Sequence, residues 1–325
     1  LLGARAVMNS YEWGIEKIDI ISKKDLKKFM ARNNKIGLIR LFIHLGAITA
    51  TGYFLYLTMF TWWCVPLLLL QGIFIAFLFA PMHEACHSSA FRTRSLNVLV
   101  GRFTGLIMLR PFFYLKYRHM AHHTYTQHPL GDPDRVDFPR SISEYLTNLS
   151  GYNIWLRMLK NIYSQMLGRF TEEERAFIPK NELQSVVIEA RIMILTYTIV
   201  MVVSAYFQSG LALYLWLLPR VLGEPALRAM RMIEHTGMAE SPNMLENTRT
   251  TKSNIFIRFF YWNMPFHAEH HLYPSVPFHA LPRLHTVVKS HLKEVAPGIF
   301  RVHLSILKEM QRNRNQIVDV EFPTI

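Results

Sequence analysis

Three histidines lie close together in the stretch His267-Ala268-Glu269-His270-His271. On a helix, residues three and four positions apart share one face, so these imidazoles can converge on a single point. Neither a solvated surface nor a packed core requires such an arrangement. The stretch therefore predicts a helix that carries metal ligands.

The same spacing occurs twice more in the chain. His119, His122 and His123 repeat it, and His83 and His87 stand four positions apart. Eight of the 15 histidines thus fall in three clusters with the spacing of metal ligands. This recurrence favours metal binding over a chance pattern.

Composition favours a membrane protein. Of the 325 residues, 50% are hydrophobic and only 18% are charged, which differs from an ordinary soluble enzyme. The net charge of +13 comes from basic residues that crowd the segments between the apolar runs. This distribution suits a protein that faces anionic lipid and argues against a nucleic-acid partner. Two cysteines are too few for a disulfide framework.

Four apolar runs predict four transmembrane helices. They lie near residues 36–59, 64–81, 190–208 and 211–233. The first two form a hairpin, with Trp62 and Trp63 at the turn, where an interfacial aromatic belt would lie. The fourth begins with only eight uninterrupted apolar residues, about 12 Å of helix, so it must continue through Arg220 and Glu224 before it leaves the membrane. These two side chains stand at i and i+4 and could pair.

Two further segments are predicted to lie at the membrane without crossing it. Residues 96–108 are apolar but interrupted by Gly101, Arg102 and Gly105, which predicts a re-entrant or interfacial segment. Residues 142–168 carry apolar side chains at helical spacing, which predicts an amphipathic helix pair on the membrane surface. His44, inside the first run, is expected to be a polar group packed within the bundle.

The distribution of basic residues predicts the topology. The short loops 61–64 and 208–210 contain no Lys or Arg, whereas the other connecting segments do. The positive-inside rule then places both termini and all three histidine clusters on the cytoplasmic side. We therefore predict one multi-pass integral membrane domain that covers residues 1–325.

The number and type of ligands indicate two metal ions. Many imidazoles without cysteine ligands favour iron, copper or zinc. A catalytic zinc usually takes three protein ligands, so eight histidines suit a pair of ions instead. A histidine ligand also needs an anchor for its second ring nitrogen. The candidate anchors are Glu84, Asp132, Asp134, Glu234, Asn263 and Glu269.

The first cluster supports a rival hypothesis. His83-Glu84-Ala85-Cys86-His87 also matches the H-E-x-x-H pattern of zinc proteases, in which the glutamate is the general base. A membrane zinc metalloprotease would leave the other two clusters unexplained. A metal transporter would place its histidines within the crossings, where only His44 lies.

The three clusters, HEACH, HMAHH and HAEHH, with one helical hairpin before the first and another between the second and third, resemble the membrane fatty-acid desaturase family. Its superfamily also contains acyl hydroxylases, alkane monooxygenases and carotenoid ketolases. The resemblance covers roughly residues 36–291, and the flanking Trp262-Asn263-Met264-Pro265-Phe266 looks like the bacterial desaturase-like branch. It implies an all-α integral membrane bundle of four transmembrane helices, with a helical cytoplasmic cap that holds a di-iron site.

Carried over by position, the resemblance implies a set of catalytic metal ligands. They are His83, His87, His119, His122, His123, His267, His270 and His271. The family commonly adds a ligand after the fourth membrane helix, where Glu234-His235-Thr236-Gly237 resembles a stretch of the alkane monooxygenases, so His235 is the expected ninth metal ligand. The remaining histidines are expected to be surface or packing residues: His128, His279, His285, His291 and His303.

The resemblance also implies the reaction and its partners. The expected reaction is oxygen-dependent desaturation of a fatty acyl or related lipid alkyl chain, with two iron ions as the cofactor and dioxygen as the co-substrate. Hydroxylation of an alkyl or lipid substrate is the alternative, because small shifts in chain placement could decide between them. Electrons are expected from a separate redox protein of the ferredoxin, rubredoxin or cytochrome b5 type. A basic cytoplasmic surface would suit an acidic donor.

Overall fold

The fold, described by a computed structural model for residue 18 and residues 20–321, consists almost wholly of helices. The α-helices are α1 Lys23–Phe29, α2 Asn34–Leu57, α3 Cys64–Phe77, α4 Phe79–Cys86, α5 Arg94–Met108, α6 Phe112–Tyr125, α7 Ile142–Ser150, α8 Tyr152–Met166, α9 Glu172–Phe177, α10 Leu183–Tyr206, α11 Leu218–Leu222, α12 Glu224–His235, α13 Met244–Asn247, α14 Ile255–Phe260, α15 His267–Leu272, α16 Leu281–Val288 and α17 Ile299–Glu321. The single-domain prediction for 1–325 includes residues 1–17, 19 and 322–325, which lie outside the described residues. That prediction stays a prediction.

Three helical segments of the described chain are long and apolar enough to cross a membrane. They are Asn34–Leu57, Cys64–Cys86 and Lys180–Tyr206, and each overlaps a predicted crossing with shifted bounds. Their outer faces expose large apolar side chains such as Phe42, Leu195 and Met201. Exposure of such an apolar surface to water is unfavourable, whereas its contact with the hydrocarbon of a bilayer is not. These helices indicate a membrane protein.

The polar side chains within these helices have internal partners. His44 is fully buried, and its Nε2–H donates to the Phe74 carbonyl at 2.8 Å, as expected for a packing residue. Gln71 contacts Thr51 and donates to the Leu215 carbonyl at 3.2 Å. In hydrocarbon these groups could find no water, so such contacts are needed.

The fourth predicted crossing, 211–233, is helical but broken. A π-helical turn at Leu213–Leu217 leads into α11, and α12 follows after Gly223. This segment does not meet the length and apolar composition of the other three. Arg220 and Glu224 form the ion pair that their spacing predicted, at 2.7 Å and fully buried. Gly223 packs so tightly on α3 that a Cβ atom would lie 2.0 Å from the Gly72 carbonyl oxygen.

Helices α5 and α6 form a bent pair. They meet at an angle of 103°, and Leu109, with a left-handed φ of 58°, ends α5. The pair is either one broken span or a re-entrant segment. A re-entrant path agrees with the prediction for 96–108. The bend turns α6, with the second histidine cluster, towards α4, with the first.

The amphipathic pair predicted over 142–168 is present as α7 and α8. Gly151 separates them at a φ of 72°, and a Cβ atom there would lie 2.5 Å from the Glu224 Cγ. The outward faces expose Leu146, Leu156 and Leu159. The pair is suited to an interface between water and lipid.

A short parallel strand pair ties together the segments around the third cluster. Strand β1, Thr250–Thr251, pairs with β2, Val295–Ala296. Two-residue strands are too short to show an alternating pattern, so they were not predictable from the sequence. The Thr251 N–H also donates to the Pro265 carbonyl at 2.9 Å, which ties β1 to the residues that lead into α15.

Candidate metal centre

The nine histidines that the sequence singled out lie together in two groups. Within each group, one ring nitrogen of every member lies within 4.8 Å of the others. The five-histidine group contains His83, His87, His119, His123 and His270, and the four-histidine group contains His122, His235, His267 and His271. His235 thus lies beside the third cluster, although it belongs to none of the three.

Helical spacing explains how two clusters serve both groups. On α6, His119 and His123 stand four positions apart and face the five-histidine group, while His122 faces the other. On α15 the two histidines that stand four positions apart, His267 and His271, face the four-histidine group instead. The groups are therefore adjacent, and the rings of His123 and His271 stack across them with centroids 4.1 Å apart.

The ring nitrogens within the five-histidine group are too close for a satisfactory hydrogen-bond network. The Nε2 of His119 lies 2.9 Å from that of His87 and 3.0 Å from that of His123, whose Nε2 is 3.1 Å from that of His270. Each ring nitrogen carries either one hydrogen or one lone pair, so a nitrogen with two such neighbours cannot form a good hydrogen bond with both. His83 is buried with neither ring nitrogen hydrogen-bonded. Lone pairs directed at a shared cation would satisfy this donor set.

Two ligand candidates of the four-histidine group have a fixed orientation. The His122 Nδ1–H donates to the Asp132 carboxylate at 2.8 Å, and the His235 Nδ1–H donates to the Asn247 carbonyl at 3.1 Å. Each bond holds the ring with its Nε2 lone pair towards the group. The buried His122 Nε2 has no hydrogen-bond partner. These rings are prepared to bind a metal ion through Nε2.

Burial keeps the third cluster neutral. Removal from water, followed by the nearby rings of His235 and His270, lowers the pKa of His267 well below the ordinary value. Burial likewise lowers the pKa values of His270 and His271, with further contributions from neighbouring histidines. Neutral imidazoles are the form that binds metal, so these side chains need lose no proton to do so.

Two other candidate anchors, Glu234 and Glu269, do not hold the Nδ1 atom of any ligand candidate. Glu234 accepts hydrogen bonds from Arg231 at 2.6 Å and from the Tyr261 hydroxyl at 3.2 Å, and lies 3.5 Å from the His267 Nε2. Burial raises the pKa of Glu234 to about 7, although the Arg231 charge opposes this. Glu269 contacts His285 and the Thr250 hydroxyl.

The remaining three candidates hold the surrounding chain. Glu84 accepts from the Ser89 hydroxyl at 2.7 Å and from the Phe278 N–H at 3.1 Å. Asp134 pairs with Arg118 at 2.8 Å. The Asn263 amide donates to the Phe278 carbonyl at 3.0 Å.

Some residues around the centre had no visible signal in the sequence. The Thr126 hydroxyl lies 3.2 Å from the His271 Nδ1, and Asn247 supplies its carbonyl to His235. His285, expected to be a surface or packing residue, contacts the carboxylate within the third cluster. Residue spacing could not reveal these contacts. The Thr126–His271 contact joins distant parts of the chain, and the His285–Glu269 contact follows a turn.

Comparison with protein families agrees with this geometry. The family described as fatty acid desaturase matches residues 60–302, a range that covers most of the chain and contains all nine histidines. The comparison with curated proteins gave no match. The family match over this range, together with the three histidine clusters, shows that the chain belongs to the fatty acid desaturase family.

Proposed function

We propose that the chain is an oxygen-dependent di-iron oxidoreductase that desaturates a fatty acyl or related lipid alkyl chain. The observation that carries the proposal is the division of nine histidines into two adjacent groups of five and four. The five-histidine group would hold one ion and the four-histidine group the other. Two bound iron ions would supply the oxidising power needed to remove hydrogen from an unactivated methylene, which side-chain acids and bases lack.

The chain's own residues orient the ligand candidates and pack apolar side chains beside them. Asp132 and the Asn247 carbonyl hold the rings of His122 and His235 in place. The Phe79 ring lies beside His83, with centroids 5.8 Å apart, and Met82, which precedes His83 in the chain, is buried. Apolar packing of this kind shields one side of the centre from water and would suit an alkyl chain as the substrate.

The proposed topology has four crossings, with both termini, the helical cap and the histidine groups on the cytoplasmic side. Its support is the absence of Lys and Arg from residues 61–64 and 208–210. Trp62 and Trp63, in the first of these loops, are exposed, as interfacial aromatic residues would be. The fourth crossing would have to include the buried pair of Arg220 and Glu224.

The proposed electron donor is a separate redox protein of the ferredoxin, rubredoxin or cytochrome b5 type. The net charge of +13 supports an acidic donor, because opposite charge steers such partners together. No nucleic-acid partner is proposed.

Hydroxylation of an alkyl or lipid substrate is the alternative, favoured by the resemblance of Glu234-His235-Thr236-Gly237 to the alkane monooxygenases. The protease hypothesis loses support from the structure. His83 and His87 share their group with three further imidazoles, more than a catalytic zinc usually takes. Glu84, the required base, is already bonded to Ser89 and Phe278.

The test begins with protein purified from iron-replete cells and assayed for metal. It is then incubated with lipid alkyl substrates, a reductant and a ferredoxin, with and without dioxygen, and the products are identified by mass spectrometry. Loss of two hydrogens marks desaturation, and gain of one oxygen marks hydroxylation. Two irons per chain and product only with dioxygen would support the proposal. One zinc per chain with oxygen-independent peptide cleavage would contradict it.

A further inference from the structure

A cleft beside the four-histidine group is unusually rich in arginine. Its cavity volume is about 70 Å³, it is partly open to solvent, and both His122 and His235 line it. Two aspartates, Asp132 and Asp134, also line it. The six arginines in its wall are Arg110, Arg118, Arg135, Arg157, Arg228 and Arg231.

Four of the six arginines have carboxylate partners. Arg110 pairs with Glu224 at 3.0 Å, Arg118 with Asp134 at 2.8 Å, and Arg231 with Glu234 at 2.6 Å. Arg135 pairs with Glu240 at 2.7 Å and with Asp137 at 3.1 Å. These four side chains are explained by their partners within the chain.

The other two, Arg157 and Arg228, form no ion pair with any residue that the structure describes. Arg228 is only 6% exposed, and its buried Nε has no hydrogen-bond partner. The nearby Glu224 carboxylate is already engaged by Arg110 and Arg220. The Glu224, Asp134 and Glu234 charges favour the Arg228 cation from a distance, but none of them forms an ion pair with it. A buried guanidinium without a partner in direct contact is costly, so Arg228 points to an anion that the chain itself does not supply.

Arg157 and Arg228 also line a second, wider cleft that continues towards the surface along α7 and α8. Arg157 is exposed there, whereas Arg228 lies inside. The same two helices carry the outward apolar side chains Leu146 and Leu156. The opening therefore lies where an amphipathic helix pair would meet lipid head groups, which favours a lipid over a water-soluble anion.

We propose that Arg157 and Arg228 bind the anionic head group, a carboxylate or a phosphate, of the lipid whose alkyl chain is oxidised. The planar guanidinium fork matches both oxyanions and binds them with two parallel hydrogen bonds. The head group lies in the cleft that His122 and His235 also line, so its capture positions the attached chain beside the four-histidine group. The identity of the reacting lipid rests on the proposed function, whereas the oxyanion site itself rests on the two unpaired arginines.

The test compares ligands that share one chain and differ in the head group. Iron-loaded full-length protein in uncharged detergent is titrated with hexadecanoate, hexadecyl phosphate and hexadecanol, and with inorganic phosphate, at a pH that ionises the carboxylic acid. We expect the two anionic lipids to bind about tenfold or more tightly than the alcohol, as one charge-assisted hydrogen bond implies. Their relative affinities identify which oxyanion the site prefers.

The variants Arg157→Gln and Arg228→Gln should each remove most of that preference, and Arg228→Lys should keep part of it. The matched control is Arg169→Gln, an exposed arginine that lines neither cleft, and it should bind as the unchanged protein does. If Arg228→Gln does not fold, the exposed Arg157→Gln and the charge-conserving Arg228→Lys still carry the test.

Equal binding of alcohol and acid, or an unchanged preference in Arg157→Gln and Arg228→Lys, would overturn the inference. Inorganic phosphate that competes at the same concentration as hexadecyl phosphate would overturn the lipid assignment and show a small-anion site instead. Iron content and oxygen-dependent product are measured in the same samples. A protein that binds no iron or forms no oxygen-dependent product, but still prefers the anionic lipids to the alcohol, would overturn the proposed function and leave the oxyanion site standing.

Discussion

Replacement of Asp132 with asparagine should weaken one metal position and spare the other. Asp132 accepts hydrogen bonds from the His122 Nδ1 at 2.8 Å, from the Asp134 N–H at 2.8 Å and from the Gln127 N–H at 2.9 Å. Its carboxylate therefore uses both oxygens, whereas asparagine offers only one. The change removes the negative charge behind His122 and leaves one donor without an acceptor.

The size of the effect follows from these contacts. Loss of a carboxylate behind a metal-binding histidine typically lowers metal affinity by roughly 10–100-fold, which is about 1.4–2.7 kcal/mol. His122 belongs to the four-histidine group, while the other group has five members. We therefore expect Asp132→Asn to retain about one iron per chain at iron concentrations that give the unchanged protein two.

The assay is an iron titration of the metal-free protein, with bound metal measured by mass spectrometry and the two environments separated by Mössbauer spectroscopy. Asp137→Asn is the matched control, because the Asp137 carboxylate is 87% exposed and pairs only with Arg135 among the described residues. Two irons bound with unchanged affinity in Asp132→Asn would refute the role given to this carboxylate. Equal losses from both environments would refute the separation of the two groups.

Three further changes test other parts of the proposal. His235→Ala should lower bound iron and abolish turnover, because it removes one of four imidazoles, whereas the exposed His291→Ala should do neither; equal activity of the two would return His235 to a packing role. His270→Ala should lose metal and oxidation together, while a protease that used only the first cluster would be indifferent to it. A cysteine introduced as Ser209→Cys should react with an impermeant reagent from outside the cell, and labelling only from the cytoplasmic side would contradict the topology.

Eight of the nine ligand candidates were accessible from the sequence because helical spacing is local, whereas His235 came from the family resemblance. His119, His122 and His123 needed only the assumption of a helix to be placed on one face. The division of that cluster between two groups was not predictable, since it depends on how α6 and α15 cross. Asp132 could not be distinguished from the other five candidate anchors either. Its contact with His122 closes a loop, and the residue types do not specify the path of that loop.

The predicted membrane crossings were likewise only partly accessible from the sequence. Long apolar runs predicted α2, the α3–α4 segment and α10 because burial in hydrocarbon demands them. The break at Gly223 and the π-helical turn at Leu213–Leu217 were missed, since both arise from tertiary contacts. The turn leaves the Leu215 carbonyl available to Gln71, and Gly223 lies against the backbone of Gly72.

The order of the ligands along the chain bears on how the correct metal is acquired during synthesis. Four members of the five-histidine group lie on α4, at its C-terminal cap and on α6, but the fifth, His270, follows His123 by 147 residues. At ribosomal speeds the nascent chain would carry an incomplete imidazole cluster for on the order of ten seconds. Copper and zinc bind such nitrogen ligands more tightly than ferrous iron does. With the proposed di-iron centre, the chain would be most vulnerable to the wrong metal before α15 is made, and its yield of active protein should depend on how well the cell restricts free copper and zinc.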